Sequence, residues 1–175
     1  MPYSEPIIVL VGLMGAGKSR IGAELARLIK LPFIDVDQEI ERAANLTIPE
    51  IFERFGEKEF RQGERQVMLR LLSGEGAVLA SGGGAFIQPE IRSAIKNKAI
   101  SVWLNANLET MVERTSRNNR RPLLQGVNPA EKLQQLMEVR YPVYAEADIT
   151  VVTDGQKPQD VARRIKTELE RFSRA

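Results

Sequence analysis

Along this chain the apolar positions change period repeatedly, and the changes mark out elements. Ile7 to Val11 is an unbroken apolar run ending at Gly12, the pattern of a parallel strand buried on both faces. From Lys18 to Lys30 the period becomes helical, with Ile21, Leu25, Leu28 and Ile29 on one face. After Pro32, Phe33-Ile34-Asp35-Val36-Asp37 predicts a second strand running into a loop. Thr47-Ile48-Pro49-Glu50 has capping-box spacing and should open a short helix that Gly56 closes, with helix resuming from Glu57 to Leu72. Ala77 to Ser81 is a third strand, followed at once by Gly82-Gly83-Gly84. Pro89 to Ile95 predicts helix, Ile100 to Leu104 a fourth strand, and Asn107 caps a helix reaching Arg117. A polar, arginine-bearing stretch over 118–128 comes next. Helix from Pro129 to Tyr141, a fifth strand over Ile149 to Val152 and an amphipathic helix from Pro158 to Phe172 complete the order.

Strands alternating with helices imply a parallel sheet covered on both faces. The fold class predicted is therefore α/β, a three-layer α/β/α sandwich around a five-stranded parallel sheet. With 175 residues, no repeat and no dividing linker, residues 1–175 are expected to form one domain. The 43% hydrophobic and 27% charged residues suit a globular chain rather than a disordered one. A net charge of +2 supplies no field for nucleic acid, so no nucleic-acid partner is expected. No apolar run approaches the roughly 20 residues that span a bilayer, and Met1 to Pro6 is short and polar for a signal segment. The expectation is a cytoplasmic monomer with no membrane partner.

Two absences narrow the chemistry. Without cysteine there is no disulfide and no thiolate metal site. Without histidine, acid–base work falls to a carboxylate, Lys or Tyr.

Gly12-Leu13-Met14-Gly15-Ala16-Gly17-Lys18-Ser19 fits G-x-x-x-x-G-K-[ST], a loop whose backbone N–H groups converge on phosphate oxygens. Its place between a buried strand and an amphipathic helix is the context that makes it a phosphate loop rather than a glycine-rich turn. Lys18 would reach the β- and γ-phosphates of ATP, and the Ser19 hydroxyl would ligate Mg²⁺. Asp35 and Asp37, two apart at a strand end, are predicted to point to the same side, where open α/β sheets bind ligands. One could hold Mg²⁺ through water, and with no histidine Asp37 is the candidate base. The bland alternative makes Asp37 a helix cap.

The motifs then become specific. Gly56-Glu57-Lys58-Glu59-Phe60-Arg61-Gln62-Gly63-Glu64 resembles the G-E-x-x-F-R-x-x-E signature of shikimate kinases. The Asp35/Asp37 pair, Gly82 to Gly84, Arg121-Pro122-Leu123-Leu124 and Arg140-x-x-x-Tyr144 are similar to that family in the same order, to about Pro158. The resemblance implies a P-loop fold like that of nucleoside monophosphate kinases and transfer of the ATP γ-phosphoryl group to shikimate. It implies that Asp37 binds the ring hydroxyls and orients the one attacked, while Arg61 and Arg140 grip the substrate carboxylate and Gly83 gives a backbone contact, in an acceptor region over 37–64. Planar guanidinium forks suit a carboxylate better than the point charge of Lys. Glu64, one turn beyond Arg61, could hold its fork; the alternative is a surface ion pair.

On the nucleotide side the resemblance implies contacts from Gly15, Ala16, Gly17, Lys18, Ser19 and Arg20, with Arg114 and Pro158 on either side of adenine. Asp35 would hold Mg²⁺ through water, and Arg121 would reach the phosphoryl group from a lid over 118–128. In isolation that stretch would be a solvated loop. Trp103 is expected in the core. The rival functions are another small P-loop kinase, for gluconate or a nucleoside monophosphate, and a non-catalytic nucleotide-binding relative.

Overall fold

The structure is a computed structural model that describes residues 5–116, 126 and 128–174. Five parallel strands, β1 (Ile7–Val11), β2 (Phe33–Asp35), β3 (Ala77–Ala80), β4 (Ile100–Asn105) and β5 (Ile149–Val152), lie in the order β2-β3-β1-β4-β5. Registers such as Val9 opposite Leu79 and Ser101 put the carboxyl ends of β1 and β3 side by side. The helices are α1 (Lys18–Ile29), α2 (Val36–Ala44), α3 (Ile48–Leu72), α4 (Pro89–Lys98), α5 (Leu108–Thr115), α6 (Pro129–Tyr144) and α7 (Pro158–Arg174).

The two-residue period of β1 explains the layers. Ile7, Val9 and Val11 join one buried cluster with Val67, Met68, Ile91 and Tyr144, so α3, α4 and α6 cover that face. Ile8 and Leu10 face the other way, onto Ile21 and Leu25 of α1 and Val161 and Ile165 of α7. Apolar area removed from water on both faces is the main stabilising term, at roughly 25 cal/mol per Å². Central β1 also makes the topological switch point: the chain leaves it towards β3 and β2 on one side and β4 and β5 on the other. Ligands of such sheets bind in the crevice that opens at the strand ends there.

Most predicted elements form, and one differs in kind. Val36 and Asp37 do not extend a strand into a loop; β2 stops at Asp35 and α2 begins at Val36. Asp35 Oδ1 accepts from the Gln38 N–H at 3.3 Å, so Asp35 is the N-cap and Asp37 lies in the first helical turn. The two carboxylates therefore do not share a strand face, and the cap is not Asp37. Val36 and Ile40, four apart and both buried, are the helical signal that a strand-to-loop assignment passes over. At α3 the capping box forms as predicted: the Thr47 side chain accepts from Glu50 N–H while Glu50 Oε1 accepts from Thr47 N–H. Gly56 interrupts the helix at φ 83°, ψ 174°, a conformation closed to other residues without strain. Trp103 is a core residue, edge-on to Tyr141 with ring centroids 5.0 Å apart. The arginine-bearing stretch, including Arg121, lies outside the described residues. No helix among the described residues is long and apolar enough to cross a membrane.

Candidate active site

The phosphate loop follows from the end of β1. Gly15 and Gly17 take φ of 86° and 94°, left-handed values that turn the chain into α1. Gly17 occupies the N-cap with no side chain to satisfy the first N–H groups of α1. Those donors, with the positive end of the helix dipole, are directed at the crevice. Lys18 Nζ donates to the carbonyls of Gly12 (2.5 Å) and Leu13 (3.0 Å), which holds the ammonium over the loop. Ala16 is buried, its N–H donating to Leu13 O at 3.2 Å, so any part it has in nucleotide contact is by backbone. Ser19 Oγ donates to Asp35 Oδ2 at 3.1 Å, joining the two residues predicted to serve one cation. Arg114 Nη1 of α5 donates to Gly15 O at 3.1 Å, so it braces the loop as well as facing the cleft.

A cleft of 730 Å³ joins these groups. Gly15, Gly17, Lys18, Ser19, Arg20, Arg114 and Pro158 line one part of it, and Asp35, Asp37 and Gly83 another. Ala16, Arg61 and Arg140 are not in its wall; the two arginines stand behind the glycine run.

That run has a steric reason. A Cβ on Gly84 would lie 2.5 Å from Arg61 Cζ, one on Gly83 would meet Arg140 Nη1 at 3.2 Å, and one on Gly82 would meet Glu64 Oε2 at 2.9 Å and Asp37 Oδ1 at 3.1 Å. Gly82 to Gly84 are thus the floor on which Asp37, Arg61, Glu64 and Arg140 converge from α2, α3 and α6. The phosphate loop is the next neighbour, with Met14 N 3.6 Å from the same Gly83 position.

The electrostatics of this corner are set by burial. Glu64 is fully buried, and its Oε1 accepts from Arg61 Nη1 at 2.9 Å. It is a part-buried ion pair, with the carboxylate enclosed and the guanidinium partly exposed, rather than a surface one. Loss of water pushes the Glu64 carboxyl above its ordinary value; the Arg61 charge and hydrogen bond oppose that, and the Asp37 charge adds to it. Arg140 is 8% exposed, and its Nη1 is buried with no hydrogen-bond partner. An unsatisfied buried donor costs about 1–3 kcal/mol, so the geometry suits an anion that completes it. Tyr144, one turn along α6, donates its hydroxyl to Gly83 O at 2.5 Å and is pushed up to about 12, chiefly by burial, against the pull of Arg140. Tyr144 and the Glu64 burial are the parts that sequence reasoning did not place; the i,i+4 spacing from Arg140 was the available signal for Tyr144.

A phosphate loop with its lysine and serine, opposed across one crevice by a carboxylate and backed by two arginines, one of them with a buried unpartnered donor, defines a P-loop phosphotransferase. Comparison with known proteins sharpens this. The shikimate kinase family model matches residues 14–170. A shikimate kinase of Bartonella henselae is 48% identical over 158 residues, which cover 90% of this chain and 75% of that protein. The chain belongs to the shikimate kinase family, and its reaction is ATP-dependent phosphoryl transfer. The crystallised shikimate kinase of Acinetobacter baumannii, in complex with shikimate, matches with a TM-score of 0.92 at 43% identity, over 94% of this chain and 93% of that one. A gluconokinase of Sinorhizobium meliloti, at 20% identity and a TM-score of 0.65 over 95% of this chain and 93% of that one, shares the fold alone.

Proposed function

We propose that the protein transfers the γ-phosphoryl group of ATP to the 3-hydroxyl of shikimate. The observation that carries the reading is Arg140 Nη1, a buried cationic donor without a partner beside Gly83, with Arg61 against Gly84. Two guanidinium groups on one floor, with Asp37 beside them, suit an acceptor that bears both a carboxylate and a reacting hydroxyl.

In this reading Arg61 and Arg140 hold the carboxylate, and the Gly83 backbone gives a further contact to the acceptor. Asp37 orients the attacking hydroxyl and accepts its proton as the oxygen displaces ADP in line. Lys18 and Arg121 offset charge on the transferring phosphoryl group, and residues 118–128 close as a lid that excludes water. Gly15 to Arg20 wrap the phosphates, and Arg114 and Pro158 flank adenine. Residues 1–175 act as one kinase domain whose 37–64 region takes the acceptor.

The Ser19–Asp35 pair fits Mg²⁺, since both donors are hard oxygens at 3.1 Å and lie by the phosphate loop. Ser19 would be the ligand of a bound Mg²⁺ and Asp35 would act on it through water, and the ion would supply Lewis-acid neutralisation of phosphate charge. We take the enzyme to be a cytoplasmic monomer with ATP and shikimate as its partners.

The test is ADP release measured over a panel of acceptors: shikimate, its hydroxymethyl analogue lacking the carboxylate, gluconate and a nucleoside monophosphate. Shikimate should be preferred, and the analogue should lose about 10- to 150-fold in kcat/KM, the value of charge-assisted hydrogen bonds to one carboxylate. Preference for gluconate or the nucleotide overturns the reading.

A further inference from the structure

Gln88 stands at the N-cap of α4, where a side chain ordinarily accepts from the first helical N–H groups, yet it makes no such bond. Its amide turns the other way: Nε2 donates to Glu64 Oε1 at 2.8 Å. The same oxygen accepts from Arg61 Nη1 at 2.9 Å. Gln88 is held there by its own backbone, whose N–H donates to Ala85 O at 3.1 Å and whose carbonyl accepts from Arg92 N–H. A residue of the turn after the glycine run thus reaches a fully buried carboxylate 24 positions earlier.

We propose that Gln88 is a positioning residue for the acceptor's carboxylate, acting through the chain Gln88–Glu64–Arg61. The physical case has two parts. A buried carboxylate is tolerated only when hydrogen-bonded, and one oxygen of Glu64, Oε2, is buried without a partner. Its other oxygen therefore carries the stabilisation, from one charged and one neutral donor. The neutral donor also fixes where Oε1 sits, and so where the Arg61 fork stands relative to Gly84. Arg61 is part-exposed and has a second acidic neighbour, Glu57, whose Oε1 is 3.5 Å from Nη2. Without Gln88 the Glu64 carboxylate can rotate and release the fork towards Glu57. Distances of this order decide bidentate recognition, because supporting shells hold binding groups within fractions of an ångström.

This inference rests on the reading that Arg61 binds the acceptor's carboxylate, so Arg61→Ala is measured beside it. Gln88→Leu should raise the shikimate KM about fivefold, the value of one neutral hydrogen bond, with kcat and ATP KM unchanged. In the Arg61→Ala background the same change should add nothing, since the residue acts through that arginine. Gln88→Met, of equal reach and without a donor, must give the same split, and thermal melting of both variants separates loss of fold from loss of position. Three results would overturn the inference: an unchanged shikimate KM in Gln88→Leu, an equal rise in ATP KM, or a full additional effect in the Arg61→Ala background. If Arg61→Ala itself leaves the shikimate KM at its wild-type value, the acceptor reading fails and the inference falls with it.

Discussion

The two sides of the cleft are built by opposite means. The phosphate side is nearly all local: one strand end, the loop over residues 12–17 and the first turn of α1 supply backbone donors, with Lys18 and Ser19 in the same eight-residue motif. The acceptor side is assembled from α2, α3, the Gly82–Gly84 floor and α6, and its Arg61 and Arg140 are 79 positions apart in the numbering of the chain. The first binds by preorganised dipoles, which cost little to bury because they belong to a helix N-terminus. The second places full charges in a dry corner, where each must find a partner. Substitutions on the first side should therefore act on the transferring phosphoryl group, and those on the second on acceptor affinity.

The largest effect expected tests that division at its phosphate end. Lys18→Ala should abolish measurable turnover while the far-ultraviolet circular dichroism stays normal, because Gly15 and Gly17 set the loop without it. Wild-type turnover in a folded variant would remove the phosphate-loop assignment.

Asp37→Asn stands at the junction of the two sides. It keeps the shape and loses the basicity, so kcat should fall by about 10²–10⁴-fold with ATP KM little changed. A kcat within a few-fold of wild type would leave Asp37 a helix-turn carboxylate with no role as base.

Arg61→Ala and Arg140→Ala should each raise the shikimate KM by about 10- to 150-fold, with ATP KM steady. Their effects should be non-additive, because both side chains hold one carboxylate. Additive effects would mean that the two arginines serve different groups and would dissolve the floor described around Gly83 and Gly84.

The smallest effect concerns the scaffold of that floor. Tyr144→Phe removes the hydrogen bond to Gly83 O, so stability should drop by about 1 kcal/mol, lowering Tm by roughly 2–4 °C. Tyr144 is pushed up to about 12 from an ordinary 10, so the folded state holds its proton more tightly than the unfolded one. Its contribution is fully present below pH 10 and is lost as pH rises through 12. Tyr141, pushed up to about 12 by burial, contributes in the same direction. Denaturant midpoints of wild type and variant should therefore differ below pH 10, with the wild-type advantage closing and then reversing as pH rises towards 12; a constant difference across that range would assign the loss to packing alone.

What was legible in the chain followed the same divide. The phosphate loop, the five strands and the Thr47–Glu50 capping box depend on residues within a few positions of one another, so periodicity and spacing suffice to find them. Arg61 and Glu64 were legible as a pair on a helix, but their burial was not, because burial depends on what the other elements bring. Gly82 to Gly84 could be suspected of a close approach, yet which side chains approach them is a matter of packing. The helix at Val36–Ala44 was missed for a related reason. Two apolar residues four apart cannot outweigh a β-branched run in sequence, but buried between β2 and α3 they decide the conformation.

By itself, then, the sequence determined the order of the strands, the parallel sheet implied by their alternation with helices and the loop that takes phosphate, since each is written in periodicity and spacing over a few residues. Only the tertiary structure decided that Asp37 faces the same cleft as the phosphate loop. It also decided that Glu64 is enclosed between Arg61 and Gln88, and that Arg140 is left with a buried donor to satisfy. Those outcomes turn on which charges lose their water, and that is settled by neighbours distant along the chain.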